Sequence, residues 1–293
     1  LFDFDHQISF NPTMQCGDGC HAAALGDVLQ HSETFASVLS PSDPRPVEVV
    51  NAGGRAGFVL VCEHAGAAIP QRFGNLGLPA AEMLRHIAYD IGAEAVARRL
   101  ADRLDAPLFL QRYSRLVVDC NRPFSAPDCI PEVSDGRVVP GNLHLTEYQR
   151  RQRYAAIHEP FHREVAVFLD RRATTGSPAM LVAVHSFTPR LAGGPGRPWQ
   201  LGVLSNRDRS FAERFLGSFQ ERNPTTICAR NEPYVVDDEG DYTIPVHGEA
   251  RGLPHLLLEI RNDLIGDPEG QHRWATLIAN GLIDAREKKH VNG

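Results

Sequence analysis

The 293-residue sequence predicts an α/β fold, a three-layer α/β/α sandwich around a mostly parallel, mixed central sheet, and three observations carry that prediction. Apolar runs of strand length alternate with longer segments of helical periodicity, the order expected of crossover units on a sheet. The runs are apolar at nearly every position, as strands covered on both faces must be. Four of them also stop abruptly at ionisable or polar groups. FVLVC runs into Glu63 and His64, RLVVDC into Asn121 and Arg122, MLVAV into His185, and HLLL into Glu259. Ligands of open α/β sheets bind outside the carboxyl ends of the strands, so these four ends are expected to share one crevice.

Taken in order, residues 1–45 read as an irregular extension with one short helix at Ala22–Leu29 and a Pro-rich exit at Pro41–Pro46; residues 46–293 read as a single catalytic domain. Val47–Ala52 suits an edge strand and Phe58–Cys62 a central one. A Gly/Pro-rich loop then leads to a helix over Pro79–Leu104, in one or two pieces, with Ile91, Ala95, Val96, Leu100 and Leu104 at helical spacing. Pro107–Gln111 and Leu116–Cys120 read as strands, Pro123–Gly141 as loop, and Thr146–Arg172 as a helix interrupted near Pro160. Met180–Val184 and Gln200–Leu204 are strands, and Ser210–Arg222 is a helix. Asn231–Gly252 is a long loop rich in Asp, Glu, Gly and Tyr, of the kind that closes over a site. Leu256–Ile260 is a strand and Gln271–Lys288 the closing helix.

Composition narrows the chemistry. The net charge of −6 argues against a nucleic-acid binder. The two lysines, Lys288 and Lys289, both lie in the tail, and the other 28 cations are arginines, which excludes Schiff-base and P-loop chemistry from the body of the chain. The six cysteines form no CxxC pair; Cys62 and Cys120 read as buried small hydrophobes, and Cys16 with Cys20 is a weak metal pair lacking a partner pair. No apolar run reaches the ~20 residues of a membrane span and no signal peptide is visible, so a cytoplasmic location with no membrane partner is the expectation.

Two histidines and a carboxylate at strand ends, with a glutamate nearby, suit a zinc hydrolase: three protein ligands leave one position for water. A glutamate would move the proton, and arginine would hold a substrate carboxylate by two parallel bonds. No GxSxG or strand-following GxGxxG motif supports a competing chemistry.

The run CEHAGAAIP resembles the signature of the N-formylglutamate amidohydrolase family, in which a Pro-His-Ser-Gly-type segment leads into Ile-Pro. DIGAEAV, SRLVVDCNRP, VHSFTP, a loop with NEPY and HG, and LLLEIRNDL follow in a similar order, covering Phe58–Ile265. The resemblance implies a fold like that of zinc exopeptidases of the carboxypeptidase type. It also implies metal-assisted cleavage of a small N-acyl amino acid, N-formyl-L-glutamate foremost, to formate and glutamate. By the same resemblance His64 and His185 would bind Zn2+, Glu259 would be general base and then acid, and Arg115, Asn121 and Arg122 would face substrate carboxylates. Tyr234 and His247 match looser substrate-binding positions. Asp90 is the favoured third metal ligand, with Glu63 and His86 as alternatives, and Asp119 is expected to orient an arginine or a histidine. His144, His158 and His162 are expected to be structural, His162 being the first outside candidate for the site. Glu63 stands where the family has proline, a departure that leaves the substrate more open than the chemistry. A peptidase of the same fold and a non-catalytic small-acid binding module are the competing functions.

Overall fold

The computed structural model describes residues 37–177 and 179–288. The expected helix at Ala22–Leu29 and the Cys16–Cys20 pair lie outside the described residues. By its contacts the compact unit runs Val38–Gly293. Its start is tied down by the Tyr113 hydroxyl, which donates to the Pro44 carbonyl at 2.6 Å.

A seven-stranded sheet organises this unit in the order β1-β3-β2-β6-β9-β7-β8, with β1 Val47–Val50, β2 Phe58–Cys62, β3 Leu108–Gln111, β6 Met180–Phe187, β7 Leu201–Leu204, β8 Cys228–Arg230 and β9 His255–Arg261. The strands β3, β2, β6 and β9 are mutually parallel; β1 and β7 pair antiparallel with β3 and β9. A two-residue ribbon, β4 Val133–Ser134 with β5 Arg137–Val138, stands apart.

Alternation along β2 separates the two faces. Phe58, Leu60 and Cys62 pack with Val96 and Leu100 of α1 (Ala93–Leu104), Phe215 of α4 (Ser210–Arg222) and Ile278 of α5 (Pro268–Glu287). Val59 and Val61 pack with Phe161 and Val165 of α3 (Glu159–Thr174). These are the three layers the sequence predicts. Leaving β2 the chain moves to β3 on one side, and it later returns to β6 on the other, so the crevice between the ends of β2 and β6 is the topological switch point.

Local structure departs from expectation in several places. Leu116–Cys120 is not a strand but a buried, turn-rich loop, in which the Val117 N–H donates to Ser114 O (2.9 Å) and Asp119 N–H to Cys129 O (2.7 Å). Its apolar character comes from packing against the α3 layer; both edges of β3 are already taken by β1 and β2, so it cannot continue the sheet beside the strand it follows. The expected helix over Pro79–Leu104 is a 3-10 turn at Ala80–Leu84 followed by α1, and Arg85–Gly92 between them is not helical. The interruption in the 146–172 helix is a π-helical segment, Tyr154–His158, between α2 (Glu147–Arg153) and α3. Thr146 and Gln149 form a capping box at the start of α2. The 231–252 loop carries its own turn of π-helix at Ile244–Gly248, and β8 is a strand the sequence pattern did not disclose. Among the described residues no helix is long and apolar enough to cross a membrane.

Candidate metal centre and cavity

His64 lies two residues past the last strand residue of β2, and Gly66 explains how the chain turns there. A Cβ on Gly66 would fall 1.9 Å from the Arg112 carbonyl oxygen, so only glycine lets the end of β2 lie against the chain leaving β3. Asp90 comes from the non-helical link before α1. Its N–H donates to the His64 carbonyl (2.9 Å), and the N-cap position of α1 is Gly92, not Asp90. The carboxylate is therefore free of capping and turns inward, where Ser186 N–H donates to Oδ2 (3.0 Å). His185 is on β6, in register with Glu259 on β9, so the two side chains stand side by side on one face of the sheet.

The three groups converge through specific atoms. His185 Nδ1 is 3.0 Å from Asp90 Oδ2 and 3.1 Å from His64 Nδ1, and His64 Nδ1 is 3.5 Å from the same oxygen. These ligand atoms all lie within 4.8 Å of one another, and His64, Asp90 and His185 are buried. The far nitrogens are engaged elsewhere. His64 Nε2 donates to Asp119 Oδ1 (2.7 Å), and His185 Nε2 faces Glu63 Oε2 (3.0 Å). A carboxylate behind each imidazole leaves both Nδ1 lone pairs pointing to one spot, the donor set of a metal site.

Charge balance supports the same fit. Glu63, Asp90 and Asp119 are buried carboxylates, with Arg115 as the cation among them: its Nη2 and Nε donate to Asp119 Oδ2 (2.7 and 3.1 Å) and its Nη1 is 3.5 Å from Asp90 Oδ1. With neutral imidazoles this leaves two negative charges, which a divalent cation would offset; buried charges are otherwise unfavourable. Burial opposes ionisation of all three carboxyls. His64 and His185 nonetheless hold Asp90 far below the usual carboxylate range, Arg115 and His64 do so for Asp119, and His185 lowers Glu63. Burial also disfavours a charged His185, yet Glu63 and Asp90 raise it well above the ordinary imidazole range. The cluster thus holds on to positive charge.

A cavity of about 250 Å³ opens above the cluster, lined by His64, His185, Glu259, Arg115, the Asn121–Arg122 pair, Tyr234 and Asp241, among others. It is small as ligand pockets go and suits a metabolite better than a polymer. Glu259 is buried, and its Oε2 has no hydrogen-bond partner among the described residues. Burial, with the nearby Asp90 charge, pushes its carboxyl up to about 7 against the pull of His185. Burial raises the Tyr234 phenol too, so it stays a neutral donor; its hydroxyl accepts from Arg197 Nη1 (3.0 Å).

The remaining expected residues fall elsewhere. Glu63 stands behind His185 rather than beside Asp90, because it sits on the opposite side of the imidazole from Nδ1. His86 pairs with Asp135 (3.2 Å) on a neighbouring cavity. His247 does not line the cavity: it stacks on His162, its Nε2 meets His162 Nδ1 (3.0 Å), and His162 Nε2 donates to Cys120 O (2.6 Å), with the tilted ring of His158 completing a buried cluster. Asp241 and Ser186 are cavity residues that sequence reasoning did not single out. Ser186 follows a metal-type histidine, a signal available but unused; Asp241 had none beyond the acidity of its loop.

Fold and cavity together are those of an α/β enzyme with a candidate metal site at its switch point. The model of the N-formylglutamate amidohydrolase family matches residues 56–266, and the chain belongs to that family, whose members hydrolyse an amide bond. A crystal structure of a gene product from Agrobacterium tumefaciens is similar at 36% identity and a TM-score of 0.82, covering 85% of this chain and 98% of that one. N-formylglutamate amidohydrolase from Ralstonia eutropha shares the fold at 19% identity and a TM-score of 0.61, over 83% of this chain and 98% of its own. No curated protein matches the chain.

Proposed function

We propose that this chain is a metal-dependent amidohydrolase of small N-acyl amino acids, with N-formyl-L-glutamate, cleaved to formate and L-glutamate, as the first candidate substrate. The observation that carries this reading is the meeting of His64 Nδ1, His185 Nδ1 and Asp90 Oδ2 beneath a cavity that also holds an unpartnered glutamate. These three atoms would hold the ion, and two nitrogens with one oxygen favour zinc among divalent metals. When bound, such an ion supplies Lewis acidity toward the scissile carbonyl and the attacking water.

The chain's own residues do the rest. Glu259 takes the proton from the attacking water and returns it to the departing amine. A carboxyl near 7 exists in both forms at neutral pH, which that double duty requires. The Tyr234 hydroxyl is a neutral donor at the cavity wall, placed to hydrogen-bond an oxygen of the substrate. Arg115 on one side and the Asn121–Arg122 pair on the other are the groups offered to substrate carboxylates. Asp119 and Glu63 hold the two imidazoles in orientation.

The test is formate release from N-formyl-L-glutamate after dialysis against dipicolinate, with and without added zinc, alongside elemental analysis of the protein as isolated. Loss of activity on chelation, recovery on zinc and about one ion per chain are expected. Turnover indifferent to chelation would end the metal reading, and turnover of short peptides in preference to formyl amino acids would replace the substrate class.

A further inference from the structure

The Asn121–Arg122 pair is already engaged. Asp241, from the 231–252 loop, accepts on its single Oδ1 from both Asn121 Nδ2 (3.0 Å) and Arg122 Nη1 (3.0 Å), charge-assisted contacts of the kind a substrate carboxylate would make there. Its Oδ2 accepts from the Asp237 N–H (3.1 Å), and Asp237 Oδ1 accepts from the N–H groups of Glu239 (2.9 Å) and Gly240 (2.6 Å). The Asp237–Asp241 turn is therefore closed on itself and presents one carboxylate to the cavity. Tyr242 and Thr243 N–H groups donate to Asn121 Oδ1 at 3.3 and 3.1 Å, so the loop uses both ends of the asparagine amide. Asp241 lines the cavity shared by His64, His185 and Glu259, and its side chain is 12% exposed.

From this geometry we propose that Asp241 is a specificity determinant: a resident carboxylate that holds the Asn121–Arg122 pair in competition with any substrate carboxylate reaching that wall. The proposal rests on the small N-acyl acid reading above and deepens it. A tethered group acts at an effective concentration of millimolar or higher, so an external carboxylate gains the pair only by expelling Asp241 and its turn. A substrate that brings no carboxylate to that wall faces no such contest, and N-formylglutamine lacks the side-chain carboxylate that N-formylglutamate can bring. The competition thus sets how strongly the enzyme distinguishes an N-acyl dicarboxylic amino acid from its monocarboxylic amide.

The experiment compares the zinc-loaded wild type with D241N, which keeps shape and an acceptor but removes the charge. The readouts are the ratio of kcat/KM for N-formyl-L-glutamate over N-formyl-L-glutamine, and the Kd of glutarate by calorimetry. The ratio should rise about tenfold or more and glutarate should bind about tenfold more tightly, as expected when a tethered competitor is weakened. Asp237→Ala, which opens the turn without touching the cavity pair, should shift both readouts the same way, and it decides the matter if D241N does not fold. An unchanged ratio, or weaker glutarate binding in both variants, overturns the proposal and leaves Asp241 as a brace for its loop. If the wild type hydrolyses neither formyl amino acid, the substrate reading fails separately; glutarate affinity alone then upholds or overturns the competitor.

Discussion

Replacing Asp119 by alanine probes the scaffold behind the candidate metal centre. Four bonds end on this one buried carboxylate: His64 Nε2 at 2.7 Å, Arg115 Nη2 at 2.7 Å and Nε at 3.1 Å, and the Asn121 N–H at 2.8 Å. Stripping one partner from a buried charge pair costs about 3–5 kcal/mol. Arg115 opens onto the cavity with 29% of its side chain exposed, so water recovers part of that and the lower end applies, about 3 kcal/mol. For a unit of this size that lowers Tm by about 6–12 °C. The effect on the metal is separate. His64 loses the acceptor that fixes its tautomer, and Arg115 is left with Asp90 as its nearest acid, drawing on the third ligand. Outer-partner losses of this kind reduce metal affinity about 10–100-fold. Competitive zinc titration against a chromophoric chelator measures the second effect, and thermal unfolding of the metal-free protein the first. In an R115A/D119A double variant part of the stability loss should return, because the stranded guanidinium is gone. A metal-free Tm within 2 °C of wild type, or zinc affinity unchanged within about threefold, would refute the account.

Three further outcomes follow from the same structure. Glu259→Gln keeps the shape of the buried carboxyl but not its proton, so kcat should fall about 10²–10⁴-fold with metal content intact; retention of a tenth of the activity would exclude Glu259 as the proton carrier. Burial holds His158 at about 3, His247 at about 4 and His162 well below the ordinary imidazole value of 6.5. The unfolded chain therefore binds protons first, and the stability these imidazoles lend is complete above about 6.5 and is lost as pH falls towards 4 and 3, by about 1–2 kcal/mol each at pH 5; urea unfolding at pH 7.5 and 5 in wild type and His162→Phe checks this, a variant with the same pH slope counting against it. Gly66→Ala drives a Cβ into the Arg112 carbonyl, and a loss of about 3 kcal/mol or failure to fold is expected; a Tm equal to wild type would show that the β2 end can shift.

What sequence disclosed and what it concealed divide along physical lines. Runs such as FVLVC and MLVAV announced buried parallel strands because a strand covered on both faces has no polar position. The same signal misled at Leu116–Cys120: burial alone makes a segment apolar, and whether it pairs depends on a free sheet edge that only topology reveals. Helical spacing across Ile91–Leu104 was legible and a division of Pro79–Leu104 into two pieces was left open, but where the break falls was not legible. That break is held by contacts distant in the chain, Asp90 N–H to His64 O and Ser114 Oγ to Ala88 O, and it frees Asp90 from capping.

Sequence by itself therefore determined the α/β class, the family, the ends of β2, β6 and β9 as the place to look, and the exclusion of lysine chemistry, since each is written in local composition or in motif order. The tertiary structure alone decided which nitrogen of each imidazole faces the other, that Glu63 lies behind His185 rather than beside Asp90, and that Asp241 sits on the Asn121–Arg122 pair. Those facts depend on distances between atoms up to 122 residues apart along the chain, and side-chain orientation at that range is set by packing, of which a linear string of residues keeps no record.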